Sequence, residues 1–229
     1  MSEKFPHLPW HEASARVAEA TFRVYTPNAM GTAFLFSAGK RKEGGHIAML
    51  ATAWHVVDQS PSGMTIRICD QYDREVVVSK SGNIAVIEVS KEFDVAIIAV
   101  MSTDEIFPEK TLLPILPSDF ELKRGAEVGW LGYPGILNPA LCFFQGHVAG
   151  MVRVPRVGYL IDGVVIRGVS GGPIFDDRCH IAGLVSAYFY DSIEDTTVTL
   201  PGVSFMVPIS FITEWVKKNL NARFIAPSQ

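Results

Sequence analysis

The chain has 229 residues, 48% of them hydrophobic and 19% charged, with a formal net charge of −4. This is the balance of a globular protein, able to bury its core as one large all-β domain or as two small packed ones, and it excludes a disordered chain. The acidic total, with no basic cluster beyond "KRK" at 40–42, and the lack of any apolar run near the roughly 18 to 20 residues that span a bilayer, remove nucleic acid and membrane from the expected partners.

The N-terminal stretch "MSEKFPHLPWHEASARVAEA" lacks the basic start, apolar centre and small-residue cleavage site of a secretory signal. Cys69, Cys142 and Cys179 are odd in number, far apart and in no C-x-x-C pattern, which suits reduced, buried thiols in a cytoplasmic setting. A short helix is predicted over His11–Ala20. From there the chain becomes a succession of runs rich in Val, Ile, Phe and Tyr: "TFRVYT", "GTAFLFS", "HIAMLATA", "MTIRICD", "EVVVSK", "IAVIEVS", "DVAIIAV", "EVGWLGY", "CFFQGHVAGMV", "GYLIDG", "IAGLVSAYF" and "VSFMVP". Turn residues separate them as in antiparallel barrels or sandwiches. The Pro-rich segment 107–125, "FPEKTLLPILPSDFELKRG", carries little strand signal and reads as a connector between β halves at 21–106 and 126–208. At the end, "SFITEWVKKNL" sets Phe211, Ile212, Trp215 and Val216 on one face, with Ser210 as N-cap and Lys217 and Lys218 in the last turn. That pattern predicts a closing helix over 209–220.

The stretch "GVSGGPIF", 168–175, places Ser170 among glycines. A glycine-rich turn alone needs no catalytic explanation. A serine hydroxyl becomes a nucleophile only with a base in reach and a third group that orients the base. His55 in "MLATAWHVVDQ" stands at the end of an apolar strand run and is the candidate base. Asp94 in "KEFDVAIIAV" stands immediately before a buried-looking strand, where a carboxylate needs a partner. It is preferred to Asp58, which would face solvent in a short turn after His55. His7, His11, His46, His147 and His180 show no mutual metal-ligand spacing, and no cofactor motif occurs, so neither a metal nor a cofactor is expected.

In the order His55, Asp94, Ser170, the segments "GTAFLFS", "TAWHVV", "FDVAII", "GVSGGPIF" and "IAGLVSA" resemble those of the trypsin and chymotrypsin-like serine proteases, over about residues 21 to 216. Within that superfamily "DVAIIAV", "GAEVGWLGYPGIL" and "GVSFMVPISFITEWV" are most similar to the HtrA (Deg) proteases, without their C-terminal PDZ domain. The resemblance implies one protease domain over 1–229, all-β, made of two six-stranded antiparallel barrels with a short N-terminal and a C-terminal helix. It implies a serine endopeptidase in which Ser170 attacks the scissile carbonyl, His55 carries the proton and Asp94 stabilises the imidazolium.

Further expectations follow from the same resemblance. The oxyanion turn would be Gly168, Val169 and Ser170, with the amides of Gly168 and Ser170 as donors. Val169 stands where trypsin-like zymogens carry an activating aspartate, so that switch has no carboxylate to work with. Val164 would floor the primary specificity pocket and favour small or medium apolar P1 residues. Ser186, Ala187 and Tyr188 would pair with the substrate backbone as an added strand. Arg167 and the loop "DSIEDTT" would bias flanking positions. The expected partners are a protein or peptide substrate and a regulatory protein. The competing reading is a protease-fold module that holds an extended peptide in an unassembled site.

Overall fold

The twelve apolar runs all become strands in the computed structural model, which describes residues 6–58, 65–78, 83–137, 140–153, 157–193 and 196–219. In the N-terminal half these are β1 (Thr21–Tyr25), β2 (Met30–Lys40), β3 (His46–Ala53), β4 (Arg67–Cys69), β5 (Glu75–Val78), β6 (Ile84–Ser90) and β7 (Val95–Ser102). They pair antiparallel in the order β5-β4-β1-β2-β3-β7-β6. The second half contains β8 (Glu127–Gly132), β9 (Cys142–Val152), β10 (Gly158–Asp162), β11 (Pro173–Phe175), β12 (Ile181–Ile193) and β13 (Thr196–Pro208). These close into a barrel in the order β10-β13-β12-β11-β8-β9.

The first half departs from the expected six-stranded barrel. It is a curled half-barrel of seven strands, and among the described residues no ladder joins β5 to β6. Strand length accounts for the gap, since β4 and β5 have three and four residues and pair through a bulge between Ile68 and Cys69. Among the described residues they cover the edge of β1 that β2 leaves free. The strand with no apolar run of its own is β11, three buried residues opened by Pro173, wedged between β12 and β8.

Helix α1 (Trp10–Ala18) stops two residues short of the predicted end. The hydroxyl of Thr21, already in β1, donates to the Val17 carbonyl at 2.8 Å and ends the helix there. Trp10 opens it by packing on Phe143 and Phe175, with ring centroids 5.7 and 6.0 Å away, so the N-terminal helix straps the C-terminal barrel. A four-residue helix, α2 (Trp54–Val57), follows β3 directly. The closing helix α3 (Ser210–Asn219) buries Ile212, Thr213 and Val216 and crosses to the other half, where Phe211 stacks on Phe93 with centroids 4.1 Å apart. Each end of the chain is thus packed against the half it does not belong to by sequence. Among the described residues no helix is long and apolar enough to cross a membrane.

The core has two parts. One fills the seven-stranded sheet and continues through Leu131, Phe175, Leu184 and Val207. The other lies inside the barrel around Val128, Trp130, Ile161, Val169, Ile174 and Val185. Each such side chain contributes about 1.5–3 kcal/mol on burial. The candidate site lies where the two meet.

Candidate active site

His55 is the second residue of α2, so the turn from strand to helix lifts its ring off the end of β3. Its side chain is 48% exposed while that of Asp94 is 10% exposed. Asp94 Oδ1 accepts the His55 backbone N–H at 2.9 Å, and Oδ2 lies 2.8 Å from His55 Nδ1. Because a carboxylate only accepts, Nδ1 carries the hydrogen and Nε2 keeps a lone pair toward solvent. Burial lowers the affinity of the ring for a proton, but the hydrogen bond it donates to Asp94 and the charges of Asp94 and Asp58 outweigh it, so the His55 pKa lies above its ordinary value of 6.5. The structure brings Asp94, not Asp58, onto the ring nitrogen; Asp58 ends α2, with its N–H on the Trp54 carbonyl.

Asp94 occupies the left-handed region, with φ 57°. This is uncommon for a residue with a Cβ, and it persists where the surroundings over-determine it. Its N–H reaches the Lys91 carbonyl, its own carbonyl takes the Trp54 N–H, and Ser186 Oγ donates to Oδ2 at 2.6 Å. Ser186, expected only as a backbone partner for substrate, therefore gives its hydroxyl to the carboxylate. Phe93 beside it is held by the α3 stack.

The turn that carries Ser170 is fixed peptide by peptide. Gly168 has φ 98°, and a Cβ there would meet the Tyr133 carbonyl, which makes glycine a requirement. The Arg167 carbonyl accepts from Gly135 N–H at 2.8 Å. In a planar trans peptide the N–H points opposite to the C=O, so the Gly168 N–H is aimed away from the Gly135 loop. The Val169 carbonyl likewise accepts from Gly172 N–H at 2.9 Å, which orients the Ser170 N–H. Among the described residues neither the Gly168 nor the Ser170 amide donates to a backbone carbonyl, whereas Val169 N–H is spent on Ile166 O at 3.0 Å. Of the three residues expected in the oxyanion turn, Val169 thus differs from the two expected donors, its amide being engaged within the turn.

What Val169 supplies instead is an apolar anchor. Its side chain is wholly buried in the barrel core, tight against Gly132. Gly171, with φ 85°, brings the backbone after Ser170 so close to β3 that a Cβ would stand 2.8 Å from Ala53 N. The serine turn and the element carrying His55 are thereby packed together, although among the described residues no hydrogen bond joins Ser170 Oγ to the imidazole.

The substrate-binding expectations fare less evenly. Val164 is 57% exposed and does not form the closed floor of a pocket; its neighbour Val165 is buried instead. Gly163, one residue earlier, backs directly onto the Trp130 ring and its carbonyl accepts from Ser204 Oγ at 2.7 Å. The Arg167 side chain is exposed, and its carbonyl is the anchored one. Ala187 and Tyr188 lie in β12, where a register shift separates Val185 from Tyr188; their side chains fall outside the described residues, as does part of the "DSIEDTT" loop. The thiols of Cys69, Cys142 and Cys179 are free, and burial pushes the pKa of each up. Among the described residues no group of three or more His, Cys, Asp or Glu could hold a metal ion.

A trypsin-like peptidase domain matches residues 31–184, more than half of the chain and the stretch that holds His55, Asp94 and Ser170. The chain belongs to the trypsin-like peptidase family. Three solved structures share the trypsin-like peptidase fold. A serine endoprotease from Yersinia pestis is 20% identical, with a TM-score of 0.67 over 94% of this chain and 68% of that one. The Rv3671c protease of M. tuberculosis in its inactive form is 21% identical, with a TM-score of 0.66 over 90% and 91%. The HtrA-type protease AlgW, solved with a tripeptide, is 18% identical with a TM-score of 0.68; this trypsin-like peptidase covers 94% of itself and 65% of AlgW. No curated protein matches it.

Proposed function

We propose that this trypsin-like peptidase is a serine endopeptidase that cleaves protein or peptide chains with Ser170 as nucleophile, His55 as base and Asp94 as the orienting acid. Ser170 Oγ attacks the scissile carbonyl carbon while its proton passes to His55 Nε2. The carbonyl π electrons move onto oxygen, and the oxyanion takes hydrogen bonds from the Gly168 and Ser170 amides. Collapse expels the amine with the proton from His55, and water then repeats the sequence on the acyl-serine. The observation that carries the reading is the pinned turn: each of the two donor amides is oriented by an anchored carbonyl in its own peptide plane, at Arg167 and Val169. This favours the enzyme over an unassembled binding module.

The P1 preference is for small or medium apolar side chains. No carboxylate stands at Val164 to receive a basic side chain, and the Trp130 ring lies directly against Gly163 beside it. An extended substrate would add as a strand along β12, and a regulatory protein partner would act on the same face; AlgW, of the same fold, was solved with a tripeptide.

The test is labelling with a fluorophosphonate probe, followed by mapping of the modified residue. Label on Ser170, absent in Ser170→Ala, is the expected result; folded protein that stays unlabelled with and without peptide would overturn the reading. Cleavage of a peptide library checks the pocket, and a profile dominated by Lys, Arg, Asp or Glu at P1 would refute it.

A further inference from the structure

One wholly buried side chain ties together the three segments that build the site, and it is neither His55, Asp94 nor Ser170. Thr32, the third residue of β2, is 0% exposed and has every polar atom engaged. Its hydroxyl donates to the Gly168 carbonyl at 2.8 Å and accepts the Tyr133 N–H at 3.1 Å. Its backbone N–H donates to the Ser170 carbonyl at 2.9 Å. Its own carbonyl accepts from Thr52 Oγ1 at 2.8 Å, three residues before His55.

The location of the hydroxyl bond matters. The Gly168–Val169 peptide lies between the two proposed donor amides, and its carbonyl is the one Thr32 holds. A change in ψ of Gly168 or φ of Val169 that the other does not cancel tilts that plane and turns the neighbouring amides with it. Gly168, without a Cβ and at φ 98°, offers little resistance of its own. The opposite edge of the plane is held by Val169 N–H on Ile166 O, a bond within the turn itself. Thr32 supplies the anchor from outside, and its β-branch restricts χ1 so that the hydroxyl has few other directions to take.

We infer that Thr32 is a positioning residue that keeps the oxyanion amides aimed, so that its hydroxyl acts on the transition state through Gly168 without touching substrate. This rests on the serine-endopeptidase reading above. Thr32→Val keeps the shape, removes the hydroxyl, and leaves the Gly168 carbonyl and Tyr133 N–H without that partner.

The experiment compares wild type, Thr32→Val and Thr32→Ser for kcat and KM on a peptide, and for affinity toward a peptide aldehyde. In the aldehyde adduct Ser170 Oγ bonds the carbonyl carbon, its proton leaves to His55, and the former carbonyl oxygen takes the oxyanion position. Thr32→Val is expected to lower kcat and aldehyde affinity alike by roughly tenfold to a hundredfold, with KM changed by less than about twofold. Thr32→Ser, which keeps the donor, is expected to recover most of both. Should the valine variant not fold, Thr32→Cys, a weak donor of similar volume, carries the same expectation. Equal kcat and aldehyde affinity in folded Thr32→Val, or equal losses in Thr32→Val and Thr32→Ser, overturn the inference. A wild-type protein that neither labels nor cleaves overturns the enzyme reading instead.

Discussion

The two halves of the molecule hold their shares of the site by different means. In the seven-stranded sheet His55 and Asp94 meet through side chains, and both carboxylate oxygens are engaged by one histidine. In the closed barrel Ser170 sits on a turn whose shape is set by carbonyls and amides, and two of those bonds come from Thr32 in the other half. Side-chain chemistry locates the proposed base and acid; backbone geometry locates the proposed nucleophile and its donors. Damage to the two halves should therefore look different.

The largest effect is expected from the side-chain half. His55→Ala removes the base and should lower kcat on the order of 10⁶-fold, with loss of fluorophosphonate labelling at Ser170 and an unchanged far-UV spectrum. Asp94→Asn disturbs tautomer and orientation, and kcat should fall about 10⁴-fold. A fall of less than tenfold in either variant would break the proposed division of roles.

The backbone half should fail more gently in rate and more severely in fold. Gly168→Ala forces a Cβ into φ 98° and onto the Tyr133 carbonyl. Turnover should drop by about 10²–10³, the value of one oxyanion donor, with added instability of about 1–3 kcal/mol from the strained backbone. Full activity in a purified Gly168→Ala protein would show that the turn is not the donor array.

The pH response sharpens the contrast because activity and stability move in opposite directions at His55. Its folded-state pKa is raised above 6.5. Protonation therefore stabilises the fold, fully below the unfolded value, and this contribution disappears as pH rises through the folded value. The base must be neutral, so kcat/KM should climb over that same interval, with a midpoint above 6.5. A rate profile with its acid limb centred below 6.5 would contradict the raised value.

The smallest effect concerns the brace between the halves. Phe211→Ala removes the stack on Phe93. It should lower stability by about 0.5–1.5 kcal/mol for the ring contact, plus the partial burial lost, and reduce turnover only severalfold by loosening the Asp94 corner. Urea unfolding and steady-state assay separate the two, and a large activity loss at unchanged stability would be unexpected.

The legibility of the sequence follows the same division. His55 and Asp94 stand out as polar residues at the edges of apolar runs, and Ser170, in a glycine turn that needs no catalytic explanation by itself, stands out once those two offer a base and an orienting acid. Twelve of the strands announced themselves by Val, Ile and aromatic content, but β11 did not, being three residues behind a proline. The open sheet was hidden because closure depends on which short edge strands meet, a matter of length and bulges. Val164 misled because a residue type says nothing of its exposure. The hydroxyls of Thr32 and Ser186 were invisible for a plainer reason: their partners lie 136 and 92 residues away, and nothing local marks a threonine or serine that points at a distant carbonyl or carboxylate.

Val169 has a consequence for timing. In a protease that waits for a cut, the nucleophile turn orders in a separate event after the chain has folded. Here the residue beside the serine is part of the barrel core, so the turn is expected to take its shape as that core forms. On the proposed reading, the shape of the Ser170 turn and the folding of the barrel are tied to the same buried side chain.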